Sequence, residues 1–137
     1  MNYEEAVAYI EETPKFTTKN KMEHTKECLK RLGDPQDELK YVHVAGTNGK
    51  GSVIAYLYTT LTNAGYHVGR YISPSVYSYR EKIEVEGTPI SREQFAKHTT
   101  RVAAVIEEMT AEGLAHPTPF EIETAVAFLF FVEEKCD

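Results

Sequence analysis

The sequence predicts an α/β fold: a parallel sheet of the phosphate-loop type with flanking helices, incomplete within these 137 residues. Three observations point there. First, a strand-like run, LKYVHV at 39–44, leads into the glycine-rich stretch VAGTNGKGSV at 44–53. Second, a helix-compatible segment over 52–63 follows, and then another strand-like run, YHVGRYI at 66–72. Strand, glycine loop, helix and strand make a βαβ unit of the length a parallel pair needs. Third, the last helix carries AVAFLFFV at 125–132, apolar on nearly every side, and such a helix must be buried all round. Parallel sheets are normally covered on both faces, yet only two parallel strands are visible. The expectation is therefore the N-terminal part of a larger α/β protein.

Each element has its own signal. Residues 2–12 place Tyr3, Val7 and Ile10 on one helical face, and Thr13-Pro14 ends that helix. The polar stretch KFTTKN at 15–20 follows. Residues 20–32 form a second helix with Met22, Leu29 and Leu32 on one side, closed by Gly33 with Pro35 beyond. Residues 39–44 are β-branched and aromatic, as strands are. After the βαβ unit, SPSVYSYREK at 73–82 is a loop, and KIEVEGTPIS at 82–91 is a hairpin turning at Gly87. Residues 92–112 form a helix with Phe95, Val102, Val105, Ile106 and Met109 on one face, and 120–135 form the last.

Composition excludes several classes. Hydrophobic content of 42% and charged content of 26% describe a globular chain rather than a disordered one. A net charge of -6 argues against a general affinity for nucleic acid. Cys28 and Cys136 suggest no disulfide framework. The acidic N-terminus is no secretory signal, and no apolar run is long enough to span a bilayer. A cytoplasmic protein is the simplest expectation. The histidines at 24, 43, 67, 98 and 116 have no metal-ligand spacing.

The glycine loop carries the chemistry. A tight turn lets several N–H groups point at one anion, and a helix starting there adds its dipole. Gly46, Gly49 and Gly51 supply the turn, Lys50 a cation, and Thr47, Asn48 and Ser52 further polar groups. The spacing departs from the usual phosphate loop, in which Gly-Lys is followed at once by Ser or Thr. Here Gly51 stands between Lys50 and Ser52. A plain glycine-rich turn with a solvated lysine is the alternative, but it needs only one or two glycines.

That variant loop, HVAGTNGKGS at 43–52, resembles the loop of the folylpolyglutamate synthase and dihydrofolate synthase family of Mur-type ligases. LGDP at 32–35, YISP at 71–74, EKI at 81–83 with the following EGTPI, and PTPFEIETAVAF at 117–128 agree with that family in order and spacing. The resemblance implies an ATP-dependent ligase. It would phosphorylate a folate or pteroate carboxylate and join the acyl phosphate to L-glutamate. By the same resemblance Gly46, Thr47, Asn48, Gly49, Lys50, Gly51 and Ser52 would bind ATP, and Ser73 and Glu121 would ligate Mg²⁺. Lys50 and Glu121 would be the catalytic pair, and Glu123, two residues on, serves as a comparison position.

Tyr77, Tyr79 and Phe120 would border the aromatic part of folate or dihydropteroate, with ordinary packing as the alternative. Ser75, Ser78 and Lys82 depart from the family's usual residues, and 15–24 follows its substrate segment only loosely. The family's third metal ligand, a histidine, its modified lysine and its glutamate-binding domain would lie beyond Asp137. The resemblance therefore implies the N-terminal part of the ATP-binding domain, inactive alone and prone to self-association through exposed apolar surface. Other readings are a different Mur-type ligase and a stand-alone nucleotide- or partner-binding module.

Overall fold

The computed structural model describes residues 1–15 and 21–137. The stretch KFTTKN lies almost wholly outside the described residues, as do the expected start of the second helix and part of the 15–24 substrate segment.

Helix α1 spans Tyr3–Glu12. Asn2 caps it: its side chain accepts the Glu5 N–H, and the Glu5 carboxylate accepts the Asn2 N–H, each at 2.8 Å. Helix α2 spans Met22–Arg31 and ends where Gly33 turns through φ +93°. A 3₁₀ turn at Pro35–Glu38 follows. Helix α3 spans Lys50–Asn63, β1 Gly69–Tyr71, β2 Ile83–Val85 and β3 Thr88–Pro89. Helix α4 covers Arg92–Ala111, and α5 covers Pro119–Glu133.

The core lies where α4 and α5 cross, with α1 and α2 against them. Phe95, Val102, Ile106 and Met109 of α4 meet Ile122, Val126 and Phe130 of α5 there. The expected α4 face is the buried one, except that Val105 stays half-buried. Helix α5 is covered as its composition demands. Its cover comes from α4, α1, the 3₁₀ turn and β1 rather than from a parallel sheet.

The hairpin turning at Gly87 is present, and the chain is α/β, but the strand pairing differs from expectation. The sheet has the order β1-β2-β3, antiparallel throughout, with Gly69 opposite Val85, Tyr71 opposite Ile83 and Val85 opposite Thr88. Residues 39–44 enter no ladder among the described residues. Their side chains are right for a strand, but β propensity expresses packing against neighbours. Here Tyr41 and Val42 are 54% and 64% exposed, with no neighbouring strand to cover them. The second strand shrinks to three residues, and its edge pairs with the hairpin instead.

Helix α3 is the other departure. It starts two residues earlier than expected and buries none of its residues. Val53 and Tyr56 stand 47% and 79% exposed. At its far end the Tyr58 hydroxyl accepts the Gly87 N–H at the hairpin tip, and Arg70 lies 5.5 Å over the Tyr58 ring. The apolar surface in search of cover is thus on α3, around Tyr41 and at Phe120 in the first turn of α5, not along the middle of α5.

Candidate functional site

The glycine loop enters α3 through left-handed backbone. Gly46 has φ +149° and Gly49, the N-cap residue, φ +78°. Side chains other than glycine are strained there. No side chain caps this helix start, and its first turn carries no acid. The free N–H groups and the dipole therefore face open space, as an anion site requires. Residues 45–53, with Lys50 and Ser52 among them, are exposed. Gly51 is different from its neighbours. It lies inside the helix with no positive φ, and a Cβ there would meet nothing within 4 Å.

The second group of residues gathers at the start of α5. Thr118 caps it, its hydroxyl accepting the Glu121 N–H, while Pro119 takes the first turn. Glu121 closes the capping box: its Oε2 accepts the Thr118 N–H at 2.7 Å and the Thr118 hydroxyl at 3.0 Å. Its Oε1 accepts the Thr25 hydroxyl of α2 at 2.7 Å. Glu121 thus serves the start of α5 as part of its capping box. Phe120 is 63% exposed. Phe120 and Glu121 both line a cavity of about 230 Å³, walled by Cys28, Leu29, Val102, Ile106 and other apolar side chains between α2, α4 and α5. Burial pushes the Cys28 thiol up to about 11, so at neutral pH it is an apolar wall and no nucleophile.

The Tyr-x-Ser-Pro segment reaches the same helix. The Tyr71 ring stacks on Phe120 at 6.2 Å and 18°, and its hydroxyl hydrogen-bonds that of Thr124 at 3.3 Å. Burial pushes that phenol up to about 12. Ser73, two residues on, is exposed and precedes a cis proline. The following loop is held by Glu81, whose carboxylate accepts the N–H groups of Val76 and Tyr77. Those N–H groups hold its pKa below the usual carboxylate range.

The structure thus brings Tyr71, Phe120 and Glu121 together around the start of α5, with Ser73 two residues beyond Tyr71. The loop from Gly46 to Ser52 lies at the start of α3, a helix that buries none of its residues. Tyr79 lies elsewhere, against Phe95 at 6.3 Å and under the Lys82 ammonium at 4.6 Å. Tyr77 is 92% exposed. Glu123 does point away from Glu121, but into a buried ion pair with Lys82 at 2.9 Å. It is therefore a poor comparison position, because removing it strands a buried ammonium. Thr25 was missed from the sequence. Its one signal is that it shares a helical face with Met22 and Leu29, at spacings of three and four.

An uncapped helix start, reached through a loop whose glycines take left-handed backbone and carried by an α/β body, is the arrangement of α/β proteins with a phosphate-type loop. Comparison with known proteins narrows the class. No family model matches the chain. It is 39% identical over 131 residues to a dihydrofolate synthase/folylpolyglutamate synthase of Bacillus subtilis, covering 96% of this chain and 30% of that protein. It superposes on the folylpolyglutamate synthetase of Lactobacillus casei with a TM-score of 0.91 and 33% identity, over 100% of this chain and 35% of the other. A solved folylpolyglutamate synthase complex with AMPPCP and folate matches with TM-score 0.91 and 33% identity, over 100% of this chain and 34% of the other. The chain belongs to the folylpolyglutamate and dihydrofolate synthase family. It spans about a third of the length of the relatives it matches.

Proposed function

We propose that the protein acts in the ATP-dependent ligation of L-glutamate to folate, and also to dihydropteroate. These residues would supply the N-terminal part of the ATP-binding domain. The carrying observation is the match along the whole chain to a relative solved with AMPPCP and folate. In the reaction a substrate carboxylate oxygen attacks the γ-phosphorus of ATP, and ADP leaves. The glutamate amine then attacks the acyl carbon. Phosphate departs with the bonding pair and the amine loses a proton, leaving an amide. Positioning and charge stabilisation carry such chemistry.

The loop fits the first step. The N–H groups at the start of α3 would cradle the phosphates, and Lys50 would meet the terminal ones. Thr47, Asn48 and Ser52 would add hydrogen bonds. Gly46 and Gly49 give the turn its backbone, and Gly51 gives the phosphates room. Ser73 and Glu121 would hold magnesium, which supplies positive charge to the transferring phosphoryl group. Both donors are oxygens, as that ion prefers. Among the described residues no group of three His, Cys, Asp or Glu side chains could hold a metal. Water and phosphate oxygens would therefore complete the octahedron. Phe120, at the cavity mouth, would border the aromatic part of the substrate. Tyr79 would act less directly, by supporting Lys82.

This reading places the protein in the cytoplasm, with no nucleic acid partner. No helix among the described residues is long and apolar enough to cross a membrane. The exposed Val53 and Tyr56 on α3 support self-association of this 137-residue chain when isolated, and by itself it would not turn over. The test is Lys50→Ala in the whole protein, with ATP-analogue binding measured by calorimetry. Losing one charge-assisted contact predicts about 10- to 100-fold weaker binding. Unchanged affinity would remove the loop from the nucleotide site.

A further inference from the structure

We infer that Thr25 is a positioning residue for the metal-binding carboxylate, an inference that rests on the role proposed above for Glu121. Thr25 lies on the α2 face that lines the cavity, beside Met22, Cys28 and Leu29. It is the polar side chain of that face, and it directs its hydroxyl to Glu121 Oε1 at 2.7 Å, across 96 residues of sequence. The other carboxylate oxygen is held by Thr118, through both its N–H and its hydroxyl. The capping box holds Oε2 and the bond from α2 holds Oε1, so two helices distant in sequence act on one carboxylate. A hydroxyl donor also favours the ionised carboxylate, the form in which it ligates a cation. Outer hydrogen bonds of this kind commonly affect metal affinity by about 10- to 100-fold.

Thr25 also links two parts of the proposed site. Its helix forms one wall of the cavity whose mouth carries Phe120. A substrate that displaces α2 would move the Thr25 hydroxyl and with it the Glu121 carboxylate. Occupancy of the cavity and orientation of the metal ligand are thereby coupled through this hydrogen bond.

The experiment uses the whole protein with Mn²⁺ as a spectroscopic probe, its affinity read by electron paramagnetic resonance in the presence of a non-hydrolysable ATP analogue. Thr25→Val keeps the shape and deletes the donor, while Thr25→Ser keeps the donor. Thr25→Val should weaken Mn²⁺ binding about tenfold, with ATP-analogue affinity measured without metal unchanged. Thr25→Ser should stay within about threefold of the parent, since its donor remains. Parent-like Mn²⁺ affinity in Thr25→Val, or equal losses in both variants, overturns the positioning role. Glu121→Gln, measured alongside, separates the two levels. If it leaves Mn²⁺ affinity unchanged, the metal reading fails and this inference with it. If it weakens Mn²⁺ binding while Thr25→Val does not, only the role of Thr25 falls.

Discussion

Gly51 sits in the first turn of α3, directly after Lys50. In the sequence it is the glycine that puts the loop out of register with the usual phosphate motif. In the structure it has helical backbone, and nothing within 4 Å would obstruct a Cβ. Neither conformation nor crowding inside the protein calls for glycine, whereas a helical glycine costs about 1 kcal/mol relative to alanine. Gly51→Ala should therefore stabilise the ligand-free chain by roughly 0.5–1 kcal/mol in urea unfolding. It should weaken ATP-analogue binding in the whole protein, because the methyl occupies the phosphates' approach. A variant with unchanged nucleotide affinity would show that the open space serves no ligand. The loop could be proposed from the sequence because its glycines and lysine lie within one short run of consecutive residues. Thr25 could not be, because its partner lies 96 residues away and a lone threonine on a helix carries no pattern.

At the scale of elements, the contact of β1 with α5 decides how the hairpin sheet sits on the core. A Cβ built on Gly69 would lie 2.5 Å from Phe131 Cδ1 and 2.6 Å from Cε1. Gly69→Ala should accordingly destabilise the chain by about 1–3 kcal/mol, the usual cost of overpacking. Adding Phe131→Leu should recover part of that loss in the same denaturation measurement. Full stability in Gly69→Ala alone would contradict the packing of this strand. The helices were legible in order and type because their apolar spacing and caps are local. The parallel strand pair was not. Strand identity depends on a neighbour, and 39–44 has none among the described residues, while 69–71 finds its neighbour in the hairpin.

For the molecule as a whole, the dependence of stability on pH can be worked out from one buried histidine. His98 is 4% exposed. Its Nε2 bonds the Glu133 carboxylate, while its Nδ1 has no hydrogen-bond partner. Burial lowers its pKa, outweighing the Glu133 charge, and the Lys97 and Arg101 charges add to the lowering. The ring is therefore a neutral donor, and the Lys97 ammonium, 2.8 Å from Glu133, is that carboxylate's charged partner. Because the folded pKa lies below the unfolded one, this contribution is fully present above about pH 6.5. It is lost as pH falls through the folded value, with a slope of at most roughly 1.4 kcal/mol per pH unit. Urea unfolding of the parent between pH 7.5 and 5 should show that slope, and His98→Gln should flatten it. A parent midpoint independent of pH in this window would refute the assignment.

The same whole-molecule view gives a meaning to the bare helix α3. It buries none of its residues, so the proposed nucleotide loop contributes almost nothing to the core that keeps the chain folded. Stability is invested in α4 and α5, and the proposed ATP chemistry at the far margin. Substitutions on the exposed surface of α3 that leave Gly46 and Gly49 in place are consequently shielded from the penalty that core changes carry.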